Sequence, residues 1–302
     1  MPAVVARGLR KTYGDVVAVE EVDLTVDEGE VVALLGPNGA GKTTTVELLE
    51  GHRTPDAGEV RVLGHDPRTG GRAFRERIGV VLQEAGFEEL FTPRELVRLH
   101  AGYYPAPRAV DDVLALVGLE DKADARVRTL SGGQRRRLDL GLGIVGNPEM
   151  LFLDEPTTGF DPSARRRAWD LVDALRGLGA TILLTTHYLD EAEHLADRLV
   201  VVDRGRVVAT GTPEQLAAAA GLATVVSFRL PGGASAGDLP ALGDGVRVSG
   251  AVVEVRTRTA TADVAALAAW AVARGSELEA LTVARPTLED VYLDLVEEAT
   301  GP

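Results

Sequence analysis

The chain has 302 residues, a formal charge of −14 and no cysteine, with a sequence pI of about 4.9. That length suits one large domain plus a small one, or two of moderate size. The acidic balance argues against a nucleic-acid binder that relies on broad electrostatic attraction and against a polybasic membrane anchor. The missing thiols exclude disulfides and thiolate metal sites.

Residues 4–35 read as strand-rich. Short valine-heavy runs (Val4–Ala6, Val16–Val19, Val22–Val26, Val31–Leu35) are separated by Gly-Asp and Asp-Glu-Gly turns. The stretch Ala3–Ala6 before Arg7 is too short for a signal-peptide core, and no apolar run approaches the roughly 18 residues of a membrane span. Tyr13 follows the first run. Spacing alone leaves it open as a sheet-edge aromatic or as a flat platform for a purine ring.

The run Val31–Leu35 leads into Gly-Pro-Asn-Gly-Ala-Gly-Lys-Thr-Thr at 36–44, and Thr45–Leu49 continue at helical spacing. Strand, G-x-x-x-x-G-K-T and helix in that order make a phosphate-binding loop in its confirming context. Gly36, Gly39 and Gly41 allow a tight turn, so successive N–H groups form a nest for anionic oxygens at a positive helix end. Lys42 brings a compact charge to the terminal phosphates, and the Thr43 hydroxyl is placed for Mg²⁺. Lysine stands otherwise only at 11 and 122, against abundant arginine. The position that needs a point charge and not a planar fork therefore has one.

Pro55–Gly58 mark a turn, and Glu59–Leu63 and Ile78–Leu82 read as strands. Gln83 closes the second, either as a surface glutamine or as a side chain that reaches a metal or its water. Residues 86–145 turn helical, with Leu90–Tyr104 and Ala109–Val117 at helical period. This insertion ends in Leu130-Ser131-Gly132-Gly133-Gln134, where Ser131 is an expected N-cap and Gly132 and Gly133 leave a second anion-binding helix end bare. The triplet Arg135–Arg137 is expected to lie on a solvated helix face rather than on phosphate.

Leu151–Leu153 form an apolar strand that ends in Asp154, Glu155 and Pro156. Ligands of parallel sheets sit at the carboxyl ends of strands, which places Asp154 for a metal and Glu155 beside it for the attacking water. A capped strand with a charged exit is the plainer alternative. Asp161 lies in the turn 157–162, followed by a helix over 164–176. Thr181–Thr186 read as another buried strand closed by His187, which is either structural or in reach of a terminal phosphate. His194 completes no H-E-x-x-H pattern, so a zinc site is rejected. A strand pair turns at Gly205, and Glu214–Ala219 read as a short helix. The boundary is placed at 218/219. Residues 219–302 form a small α+β domain: strands at 224–230, 246–248, 252–258 and 278–283, a helix at 262–274, and a last helix opened by a capping box at Thr287–Asp290. No chemistry is legible there.

The ordered set Tyr13, Gly36–Thr44, Gln83, Leu130–Gln134, Leu151–Pro156 and His187 resembles the nucleotide-binding subunit of ATP-binding cassette (ABC) transporters over about residues 3–215. The segment Leu-Ser-Gly-Gly-Gln is its specific part. The resemblance implies an α/β P-loop NTPase core with an N-terminal antiparallel β subdomain and a helical subdomain at about 86–145. By the same resemblance Tyr13 stacks on adenine. Gly36, Pro37, Asn38, Gly39, Ala40, Gly41, Lys42, Thr43 and Thr44 bind the phosphates of ATP. Thr43, Gln83 and Asp154 serve Mg²⁺, with Gln83 also relaying to the membrane partner. Glu155 is the catalytic base, and His187 is the switch histidine on the γ-phosphate.

It further implies a head-to-tail homodimer in which Ser131, Gly132, Gly133 and Gln134 of one chain complete the phosphate site of the other, with Asp161 at the crossing. A separate membrane-spanning permease is the implied partner, which holds the protein on the cytoplasmic face of the cell membrane; no nucleic acid is expected. The stretches 131–140 and 186–193 and the ending Pro286–Tyr292 are similar to the drug- and antibiotic-export ATPases of the ABC-2 group, including the daunorubicin-resistance type. Phe160 departs from the leucine usual there. A soluble cassette acting on DNA or ribosomes is disfavoured, because neither long coiled coils, cysteine-ligated zinc nor a second cassette is visible. A non-hydrolysing regulatory cassette is disfavoured by the presence of Glu155 and His187. Residues 224–302 are expected to support dimer contacts or regulate coupling.

Overall fold

The computed structural model describes residues 2–82, 86–219, 223–243, 245–284 and 287–292. In the first part of the chain, β1 (Pro2–Tyr13) and β2 (Val16–Asp27) are long antiparallel partners turned at Gly14. The two valine runs expected at 16–19 and 22–26 are one strand. Val19 and Val22 are both buried although three residues apart, which simple alternation forbids. A register shift between Leu9↔Val22 and Lys11↔Val19, with Glu21 at φ 57°, absorbs the extra residue as a bulge.

β3 (Val31–Leu35) is buried at every position, as a strand covered on both faces must be. It leads through the glycine loop into α1 (Lys42–Glu50). β4 (Ala57–Val62) returns to pair with β1; α2 (Gly71–Arg75) and β5 (Ile78–Val81) follow. The helical insertion holds α3 (Pro93–Ala101), α4 (Val110–Leu116) and α5 (Gly132–Ile144). Pro93 and a Thr92/Glu95 capping box start α3 three residues inside the periodic run that begins at 90. Then come β6 (Met150–Asp154), α6 (Pro162–Gly177), β7 (Thr181–Thr186), α7 (Leu189–Leu195), β8 (Arg198–Asp203) and β9 (Arg206–Gly211).

Among the described residues these strands make a three-stranded antiparallel sheet, β2-β1-β4, and a six-stranded sheet, β5-β6-β7-β3-β8-β9. The latter is parallel except for β9. One apolar cluster joins Val4, Leu9, Val22 and Val60 of the first sheet to Leu34, Phe152 and Val200 of the second, with Leu48 and Leu49 of α1 between them. The order brings β6, β7 and β3 side by side, with Asp154 opposite Thr185 and Thr186 opposite Leu35. Their carboxyl ends therefore open at one place.

The chain divides into two compact units, Met1–Pro213 and Glu214–Pro302. The division falls at the start of α8 (Pro213–Ala219), where the sequence reading put it at that helix's end. In the second unit β10 (Thr224–Arg229), β11 (Gly245–Ser249), β12 (Val252–Thr257) and β13 (Glu279–Ala284) build an antiparallel sheet ordered β11-β12-β10-β13, and α9 (Ala260–Ala273) connects β12 to β13. Val226, Phe228, Val253, Val255 and Leu267 close its core. The backbone and side chain of Thr287 exchange hydrogen bonds with Asp290, opening a helix over 288–292 as the sequence suggested.

Candidate nucleotide site

The glycine loop is shaped by close approach. A Cβ at Gly36 would stand 2.2 Å from the Val202 carbonyl, and one at Gly41 2.2 Å from that of Ala18. Gly41 also caps α1 at φ 98°, and no side chain caps this helix. Hence the N–H groups at its start face the loop cavity, available to an anion. Lys42 is 5% exposed and donates through Nζ to the carbonyls of Gly36 at 2.8 Å and Pro37 at 3.1 Å. Burial pulls its pKa down, while Glu155 and Asp154 pull the other way.

Thr43, the second residue of α1, points at the end of β6, with its hydroxyl 3.4 and 3.3 Å from the two oxygens of Asp154. Thr185 of β7 also donates to Asp154, and the same hydroxyl accepts the Glu155 N–H at 3.0 Å. Glu155 has φ 45°, a left-handed backbone that a non-glycine residue adopts at a cost of roughly 1–2 kcal/mol. Its side chain is nearly buried. Oε2 accepts from Thr158 at 3.1 Å, and Oε1 lies 3.2 Å from His187 Nδ1.

A cleft of about 520 Å³ gathers Tyr13, Ala18, Asn38, Gly39, Gly41, Lys42, Thr43, Thr44, Glu155, Thr158 and His187. Residues from β1, the glycine loop and the ends of β6 and β7 thus meet at one opening. The Tyr13 ring is 41% exposed, with Lys11 Nζ 5.6 Å and the Arg53 guanidinium 5.9 Å from its centroid.

Ser131 caps α5 and shares a capping box with Gln134, whose side chain accepts the Ser131 N–H at 2.9 Å. Gly132 lines a different cleft, of about 260 Å³, with Phe87, Arg135, Arg136, Thr158, Gly159 and Phe160. Asp161 caps α6 by accepting from the N–H groups of Ser163 and Ala164, and these bonds hold its carboxyl below the usual range. Gln83 lies outside the described residues.

The expectation that Arg135–Arg137 form a solvated face fits Arg135, whose side chain is 39% exposed, and is corrected for Arg136 and Arg137. The Arg136 guanidinium is 10% exposed and donates to the carbonyls of Asp154, Glu155, Pro156 and Leu82 and to the Asp139 carboxylate. Arg137 donates to the carbonyls of Val117 and Gly118. Strand ends and helix ends leave carbonyls that these side chains satisfy, which a helical projection of the sequence does not display. Thr185 was missed as well. The available signal was a pair of hydroxyls, Thr185-Thr186, ending a parallel strand directly after the apolar run Ile182–Leu184.

A family model described as "ABC transporter" matches residues 19–158, and one described as "ABC transporter domain-containing protein-like, C-terminal domain" matches 224–287. The chain is 43% identical to the daunorubicin resistance ATP-binding protein DrrA3 of Streptomyces coeruleorubidus, over 97% of this chain and 95% of that protein.

The chain belongs to the ATP-binding subunits of ABC transporters. This ABC subunit is also 46% identical to the daunorubicin/doxorubicin resistance ATP-binding protein DrrA of Streptomyces peucetius, over 76% of its own length and 70% of the relative's. It is 44% identical to Nod factor export ATP-binding protein I of Burkholderia lata, over 70% and 71%. Among solved structures it is similar to an ATP-binding subunit of an ABC transporter at TM-score 0.67 and 29% identity, covering 72% of this chain and 93% of that one. Membership makes it an ATP-binding ATP hydrolase with the P-loop NTPase fold expected from the sequence. Among the described residues no helix is long and apolar enough to cross a membrane.

Proposed function

We propose that this ABC ATPase drives export of a drug-like or other small amphipathic substrate through a separate membrane-spanning permease, and that it works on the inner face of the cell membrane. The observation that carries the reading is the convergence of Lys42, Thr43, Glu155 and His187 on one cleft, with Asp154 hydrogen-bonded to Thr43 beneath it. The choice of export rests on the relatives, which are named for daunorubicin resistance and Nod factor export.

In this reading Tyr13 stacks on the adenine. The backbone of Gly36, Pro37, Asn38, Gly39, Ala40 and Gly41 wraps the phosphates, together with Thr44 and the Lys42 ammonium. The hydroxyl of Thr43 and the carboxylate of Asp154 are hard oxygen donors 3.3 Å apart. One carboxylate and one hydroxyl suit Mg²⁺, which keeps several waters and takes its other ligands from phosphate. When bound, the ion neutralises charge on the transferred phosphoryl group. Gln83 is assigned to the same ion and to the relay toward the permease. Glu155 accepts the proton of the attacking water, and His187 holds that carboxylate and reaches toward the terminal phosphate.

Two copies close head to tail, so that Ser131, Gly132, Gly133 and Gln134 of one face the glycine loop of the other, with Asp161 at the crossing. The N-terminal end of α5 lines a cleft other than that of the glycine loop, as two half-sites on one chain require.

Replacement of Glu155 by Gln tests the base. MgATP turnover is expected to fall by about 10²–10⁴-fold with ATP still bound; turnover at the wild-type rate refutes the assignment. The cysteine-free sequence allows a clean second test. Ser131→Cys mixed with Asn38→Cys, in an Glu155→Gln background with ATP, is expected to give an inter-chain disulfide. Its absence under those conditions sinks the head-to-tail arrangement.

A further inference from the structure

Arg136 sits two residues beyond the N-terminal turn of α5, where it meets three segments at once. Nε donates to the Pro156 carbonyl at 3.1 Å, and Nη2 donates to those of Asp154 at 2.9 Å and Glu155 at 3.2 Å. Nη1 donates to Asp139 Oδ2 at 2.8 Å and to the carbonyl of Leu82, just past β5. A guanidinium offers five N–H donors in one rigid plane. Here that plane holds the peptide groups on both sides of Glu155, whose own φ of 45° gives this backbone a reason to relax if released.

We propose that Arg136 is a positioning residue for hydrolysis: it fixes the left-handed peptide that aims the Glu155 carboxylate and ties that peptide to the helix opened by Ser131. The proposal rests on the reading of Glu155 as base. Arg136 meets the glycine-loop cleft through the Glu155 carbonyl and lines the cleft at Gly132. Movement of α5 therefore reaches Glu155 through these peptide carbonyls. Asp139 is the anchor on the other side. Burial pushes its carboxyl up to about 6 although Arg136 opposes this. Glu50, His52, Arg75, Glu88, His100 and Tyr104 are the other titratable and charged groups lining its cavity.

The test uses the full chain. Arg136→Lys keeps one positive charge but offers a point donor that cannot span three consecutive carbonyls and Leu82. Turnover of MgATP is expected to fall at least about tenfold, with KM and the calorimetric affinity for ATP within about threefold of wild type. In the nucleotide-free protein, amide exchange over 154–158 is expected to quicken while that over 36–50 does not change. Wild-type turnover in Arg136→Lys, with Glu155→Gln inactive, overturns this proposal alone; wild-type turnover in Glu155→Gln overturns the reading beneath it.

Asp139→Asn covers the case in which Arg136→Lys fails to fold. Wild-type turnover divided by that of Asp139→Asn is expected to approach one below pH 6 and to rise several-fold above it, as the ionised anchor engages. A ratio that does not vary between pH 5 and 8 overturns the proposal.

Discussion

The Thr185 hydroxyl donates to Asp154 Oδ1 and accepts the Glu155 N–H at 3.0 Å, so one side chain of β7 holds both carboxylate-bearing residues at the end of β6. The pairing of Asp154 with Thr185 in adjacent parallel strands makes this possible. Thr185→Val has nearly the same shape but withdraws both bonds. The Asp154 oxygen then loses a donor in a buried site, a loss of about 1–3 kcal/mol. We expect thermal unfolding of the first unit several degrees lower and ATP turnover reduced about tenfold, measured by calorimetry and phosphate release. An unchanged melting point refutes the role given to the hydroxyl.

Gly41 is held at φ 98° with the Ala18 carbonyl where a Cβ would go. Gly41→Ala therefore displaces either the loop or β2, at a cost of about 2 kcal/mol or more. We expect calorimetric affinity for ATP to drop at least about thirtyfold. Gly39→Ala is the informative partner. Its φ of 82° is also left-handed, but nothing lies within 4 Å of its Cβ, so the smaller loss belongs there.

Asp139 gives stability a pH dependence whose sign is fixed. Its folded carboxyl titrates at about 6, above the ordinary 3.8. The folded protein therefore binds a proton that the unfolded chain does not hold between those values. This contribution is fully present below about pH 4 and is lost as the pH rises through 6, amounting to about 2–3 kcal/mol. Urea unfolding of wild type and Asp139→Asn at pH 5 and 7.5 isolates it, because other groups cancel in the difference. The wild type is expected to lose more stability on going to pH 7.5. Parallel pH profiles count against it.

In the second unit, Phe228 is 1% exposed in a small core with Val226, Val253, Val255 and Leu267. Truncation to Ala removes the largest side chain of that core, at about 3–5 kcal/mol. We expect the unit 214–302 to unfold at lower temperature while ATP binding by the unit 1–213 persists. Coincident loss of both in a calorimetric scan contradicts independent cores.

Local signals decided much of what this chain is. The buried run Val31–Leu35, three glycines and Lys42 define a strand, a loop and a helix by sterics and charge that act within a few residues. Ser131 before two glycines, and Thr287 three residues before Asp290, fix helix starts for the same reason: capping bonds span about one turn. The paired carboxylates at 154 and 155 were legible because they end an apolar run.

What depends on contacts distant in sequence was not legible. The bulge at Glu21 exists because β1 sets the phase of β2. Arg136, 10% exposed, lies in a triplet that a helix projection assigns to solvent, and only the neighbouring ends of β5 and β6 supply the carbonyls that bury it. Thr185 became part of the site through the order β6-β7-β3, which sets its hydroxyl beside Asp154. Periodicity records which face a side chain takes; what that face meets is settled by strand order and by the peptide groups that strand ends leave unpaired.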